Sequence, residues 1–100
     1  MNPTRFRIDA DHPALPGHFP GRPVVPGVVL LDRVAAAVER EFGVSIAALP
    51  QVKFLAPLLP GQEAELHVEE KDRKLHFRIF HNDSMIANGV AETGVAGEKT

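Results

Sequence analysis

The sequence contains no cysteine. That removes a disulfide framework, a thiolate nucleophile and any cysteine metal site together. Neither a basic-then-apolar leader nor an apolar run approaching the roughly eighteen residues of a membrane span is present, so the expectation is a soluble, cytoplasmic chain. Excess charge is lacking too: the formal net charge is −2 and the basic residues are dispersed, which argues against a nucleic-acid partner. No internal repeat or low-complexity segment appears. His12, His67, His76 and His81 show no metal-ligand spacing and read as solvated, as do Glu63, Glu65, Glu69 and Glu70. What remains is 100 residues, 44% of them hydrophobic, enough for one domain over 1–100 with a thin core.

The densest information lies in Pro16–Asp32, PGHFPGRPVVPGVVLLD, whose first eleven residues hold four prolines. Proline fixes φ and removes a donor, so residues 16–26 are neither helix interior nor central strand. Such a stiff segment fixes the position of His18. No helix breaker then appears until Gly43, and Pro26–Gly27 suits a helix start, where the missing N–H of proline has no partner to lose. The spacing predicts a helix over Gly27–Phe42 closed by Gly43, with Leu31, Val34, Ala35, Val38 and Phe42 as its core stripe. The N–H groups of Gly27, Val28 and Val29 would be left free beside the loop holding His18.

Around that helix the pattern switches to alternation. Arg5–Ala10 reads as a short strand with Phe6, Ile8 and Ala10 on one side, followed by the loop Asp11–Val25. Residues 44–50 read as a connection ending in Leu-Pro, then Gln51–Leu58 as a strand with Val52, Phe54 and Ala56 on one face. Glu63–Glu70 turns Ala64, Leu66 and Val68 inward, and Leu75–His81 turns Leu75, Phe77 and Ile79 inward, around a charged tip at Lys71–Lys74. His81–Ser84 is turn chemistry and Met85–Thr93 a last strand. One helix facing one antiparallel sheet of about five strands must be wrapped by it, an α+β architecture. The free sheet edges and second face call for cover, which favours a homodimer.

GHFPGRPVVPGVVLLD resembles the signature of the hot-dog-fold β-hydroxyacyl-acyl-carrier-protein dehydratases: a histidine in Gly-His-Phe-Pro-Gly, then Pro-Gly opening the central helix, then an acid five residues later. These fall on His18, Pro26–Gly27 and Asp32. Lys53-Phe54-Leu55-Ala56-Pro57 with Pro60-Gly61 is similar to the family's following strand and turn. The resemblance covers residues 6 to 92, and the compactness is most similar to short dehydratase-like proteins of aryl-polyene pathways. It implies a hydro-lyase without metal or organic cofactor, acting on 3-hydroxyacyl chains linked through phosphopantetheine to acyl carrier protein. It further implies a substrate tunnel drawing on Phe19, Pro26, Leu31 and Phe54, and a site shared across a dimer, with His18 from one subunit and Asp32 from the other. Carrier docking would fall to Arg22 and Lys53, with Arg73, Lys74 and Arg78 in reserve.

Removing water from a 3-hydroxyacyl thioester needs a base for the α-proton, an acid for the leaving oxygen and donors for an enolate-like oxygen. An imidazole such as His18 titrates in the right range for the base. The N–H of Gly27 or Val28, at the positive end of the helix, suits the third task. Asp32 suits the second when protonated, directly or through water. Basic residues at the i±3 and i±4 positions are lacking, so an in-helix ion pair is not its purpose. Two alternatives stand beside this reading: a non-catalytic hot-dog subunit, favoured by Arg33 and Ala36 near the acid, and an acyl thioesterase.

Overall fold

In the computed structural model, which describes residues 3–12 and 24–94, the alternating segments become five strands. They are β1 (Thr4–Arg7), β2 (Ser45–Phe54), β3 (Glu63–Lys71), β4 (Lys74–His81) and β5 (Ser84–Gly94), with the helix α1 (Gly27–Phe42) between β1 and β2. They form one sheet in the order β1-β3-β4-β5-β2, every neighbouring pair antiparallel. This is the expected α+β arrangement, with residues 13–23, and so His18, Phe19 and Arg22, outside the described residues. Among the described residues no helix is long and apolar enough to cross a membrane.

Register decides which side chains meet the helix. Leu66 pairs with Ile79 and Ile79 with Ala87, while Val68 pairs with Phe77 and Phe77 with Gly89, so each row runs across the sheet on one face. That face is buried and packs against Val29, Leu30, Val34, Ala37 and Val38 of α1. The buried stripe is turned from the expected one: Ala35 is exposed, Leu31 and Phe42 are half-buried, and Leu30 and Ala37 lie inside. The alanine run at 35–37 fits either face equally well, so the sequence does not distinguish them.

Two strand boundaries also differ. β1 ends at Arg7 because the Ile8 carbonyl accepts from Gly61 N–H at 2.8 Å instead of continuing the ladder, and Ala10 is exposed. β2 begins at Ser45, runs through Pro50 and stops at Phe54, where a connection and a later strand were expected. An edge strand tolerates proline because only one of its sides carries ladder bonds, and the register shifts between Ala48 and Gln51 absorb it. Beyond β2, Leu55 and Ala56 both donate to the Ile86 carbonyl, at 2.8 and 3.3 Å.

The tip between β3 and β4 is a two-residue turn with positive φ at both Asp72 (55°) and Arg73 (66°), the twist that suits a tight hairpin. On the face away from the helix, Glu65 accepts from Arg5 Nε at 3.4 Å and lies 3.0 Å from His67 Nε2, which itself meets Phe80 edge-on. His67 is therefore partnered and half-buried where a solvated ring was expected.

Gly89 is the tightest point of the sheet: a Cβ there would lie 2.5 Å from the Gln51 carbonyl oxygen and 2.6 Å from Phe77 Cζ. The backbone oxygen belongs to a paired strand and has nowhere to go. Gly89→Ala is expected to cost about 1–3 kcal/mol, as overpacking does, readable as a lowered thermal midpoint. An unchanged midpoint would mean that β2 slides freely against β5.

The His67 hydrogen bond, followed by that of Arg5, holds the Glu65 carboxyl below its ordinary range. A depressed acid stabilises the fold above its unfolded value and loses that contribution as pH falls through the folded one. The stability difference between wild type and Glu65→Gln should accordingly shrink on acidification below the ordinary carboxylate range. A difference that stays constant there would exclude this linkage.

Candidate active site at the start of the helix

Val25 is buried and donates its N–H to the Leu58 carbonyl at 2.8 Å, which fixes the chain as it enters the helix. Pro26 is extended (φ −63°, ψ 146°), and helical bonding begins with Val29 N–H to the Pro26 carbonyl at 3.0 Å. The N–H groups of Gly27 and Val28 thus have no acceptor within the helix. Among the described residues no side-chain oxygen caps this end, and no acidic residue stands in the first turn, so its positive end is not neutralised by the helix itself.

Beside it lies an apolar recess of about 390 Å³, lined by Gly27, Leu30, Phe54, Leu55, Pro57 and Leu58 among others. Phe54, the last residue of β2, closes one side. A Cβ on Gly27 would lie 2.6 Å from its Cζ and 2.9 Å from its Cε1, so the ring rests directly on the glycine. A larger recess of about 730 Å³ adjoins the first, sharing Val24, Ala56 and Pro57 and reaching His81, Ser84 and Ile86.

The expected residues separate into three groups. Pro26, Gly27, Val28 and Phe54 come together at the helix start, and half-buried Leu31 packs on the core one turn on. Asp32 is exposed on the outer side of the helix and does not line the recess; it has no hydrogen bond or ion pair among the described residues. It shares that side with Val28 (67% exposed), Ala35 and Ala36. Arg33 leaves Asp32 alone: its guanidinium carbon lies over the Phe6 ring, 6.0 Å from the centroid. Lys53 is set apart. The register puts it beside Asn88, and the alternation of the strand turns it to the opposite face from Phe54.

His81 was read as a solvated turn residue. Its Nδ1 instead lies 2.8 Å from the Glu63 carbonyl, and the ring lines the larger recess. No local pattern reveals this, because Glu63 and His81 are brought together by strand order.

A family model described as ApeI-like, ApeI dehydratase, matches residues 3–90. The chain belongs to the ApeI-like dehydratase family. Its fold is the hot-dog fold, and it is related to dehydratases of the FabZ type. It is 31% identical to the 3-hydroxyacyl-(acyl-carrier-protein) dehydratase FabZ of Rhodopseudomonas palustris over 93% of this chain and 70% of that protein. It is 33% identical to the FabZ of Bradyrhizobium diazoefficiens over 93% of this chain and 69% of that one.

Among solved structures, the dehydratase heterocomplex ApeI:P from Xenorhabdus doucetiae superposes with a TM-score of 0.79 at 28% identity, covering 91% of this chain and 84% of that one. An uncharacterised protein from Erwinia carotovora gives 0.77 at 25% identity, over 96% and 84%. The Xenorhabdus structure corrects the expected assembly, a homodimer served by acyl carrier protein, because the ApeI-like protein there stands in a complex with a different component. An uncovered edge and helix face leave room for a partner but do not specify an identical one.

Because Asp32 has no hydrogen-bond or ion-pair partner among the described residues, Asp32→Asn should change unfolding free energy by less than about 0.5 kcal/mol in a denaturant titration. A larger loss would show that the carboxylate has a structural role.

Proposed function

We propose that this chain eliminates water from 3-hydroxyacyl thioesters, of the kind named for its FabZ relatives, to give trans-2-enoyl thioesters. The observation that carries the reading is the match of residues 3–90 to a dehydratase model, a span that includes His18, the Gly27 helix start and Asp32.

In this mechanism the thioester carbonyl approaches the N–H groups of Gly27 and Val28, whose free donors and helix dipole stabilise the oxyanion as it develops. The His18 imidazole removes the α-proton. The hydroxyl on the β-carbon departs with a proton from the Asp32 carboxyl, so that a C–O bond breaks, a C=C bond forms and water leaves. A carboxyl that donates must be kept protonated, which requires a drier setting than the exposed helix face of the lone chain. Cover over Val28, Asp32, Ala35 and Ala36 by a different chain would supply it, in keeping with the heterocomplex in which the Xenorhabdus relative is found.

The same exposure of Asp32 favours one second reading, a non-catalytic subunit of such a complex. Incubation with a 3-hydroxyacyl thioester separates the two: appearance of the enoyl product supports the dehydratase, while unchanged substrate in the presence of the partner chain supports the second. Release of free acid would indicate a thioesterase.

In the active assembly, His18→Ala and Asp32→Asn are each expected to lower turnover by about a hundred- to ten-thousand-fold, the range of general acid–base groups. Near-normal turnover in Asp32→Asn would reduce Asp32 to a residue that complements the helix dipole.

A further inference from the structure

We infer that Phe54 determines which thioesters reach the helix start, by acting as the movable wall that rests on Gly27 in this recess. This inference rests on the dehydratase reading and adds a selectivity residue to it.

Three observations support the assignment. The ring lies flush on Gly27, where even a methyl group would come within 2.6 Å of Cζ, so it lies directly beside the free N–H donors. Its other side is open, and the side chain is 52% exposed. The backbone beneath it is fixed: Phe54 pairs with Ala87, and the next residue donates to Ile86 at 2.8 Å. Any adjustment of this wall is therefore a side-chain rotation, fast for a partly exposed ring, and does not require the strand to move.

Of the neighbouring walls, Leu30 and Leu58 are buried core residues, and moving them would open a cavity in the core, while Leu55 is exposed like Phe54 but is not among the atoms nearest a Cβ on Gly27. A thioester carbonyl drawn to Gly27 must bring its α-carbon up to the ring. A straight chain presents only hydrogens there, whereas a methyl branch at the α-carbon needs the space that the ring fills. The site should accordingly favour unbranched 3-hydroxyacyl thioesters, and a single misplaced methyl group in an apolar contact is worth about tenfold or more in discrimination.

The test uses 3-hydroxyoctanoyl-N-acetylcysteamine and its 2-methyl counterpart. Phe54→Ala should raise the ratio of kcat/KM for the branched over the unbranched substrate by about tenfold, with Phe54→Leu between it and wild type. A merely structural role would lower both values together and leave the ratio unchanged, which would overturn the inference.

The chain contains no tryptophan and no tyrosine, so Phe54→Trp places the sole indole at this wall. Its emission should respond saturably to the unbranched thioester, at lower concentration than to the branched one. An indole silent to both also overturns the assignment. Absence of turnover in wild type together with a responding, discriminating indole would sink the dehydratase reading while upholding Phe54 as the selective ligand contact.

Discussion

One helix lying across one face of one sheet is the constraint from which the remaining features follow. Val34 and Val38 are fully buried between the helix and the rows Leu66–Ile79–Ala87 and Val68–Phe77–Gly89. With no second helix among the described residues, that contact has to exclude water almost unaided. Ala37, Ala87 and Ala91 are small buried residues in this core, whereas Gly89 is small because a Cβ there would meet the Gln51 carbonyl and the Phe77 ring of its own sheet.

The same economy leaves the proposed site at the surface of the chain. A helix that spends its inner stripe on the sheet has its outer side, with Val28 and Asp32, uncovered. Its N-terminus meets the end of the edge strand β2 at Phe54, and Gly27, whose N–H has no acceptor within the helix, lines a recess there. A catalytic site built there gains a positive helix end at no folding cost but lacks a dry roof. In the proposed reading another chain completes the site, and the exposed apolar surface at Val28, Phe54 and Leu55 suits such cover.

Electrostatics divide between the two faces. The outer face carries the Arg5–Glu65–His67 group and the Lys74–Glu92 pair, exposed or half-exposed contacts of small energetic weight that keep an otherwise open sheet face hydrated. The helix carries the Arg40–Glu41 pair near its end and, near its start, Asp32 with no ion pair among the described residues, Arg33 being drawn off over Phe6.

The sequence by itself determined the helix to the residue, because Pro26–Gly27 and Gly43 are backbone signals that act locally. It also determined the inward faces of β3 and β4, since strict alternation allows only one register with a buried side. The family was legible from the spacing of His18, Gly27 and Asp32 along the chain, a local pattern that needs no tertiary information. Only the tertiary structure decided the rotation of the helix stripe, the passage of β2 through Pro50, the ring of Phe54 on Gly27 and the seating of His81 against Glu63. Each of these joins residues distant in the chain or chooses between faces of equal composition, and packing, which has no signature in a local pattern, makes that choice.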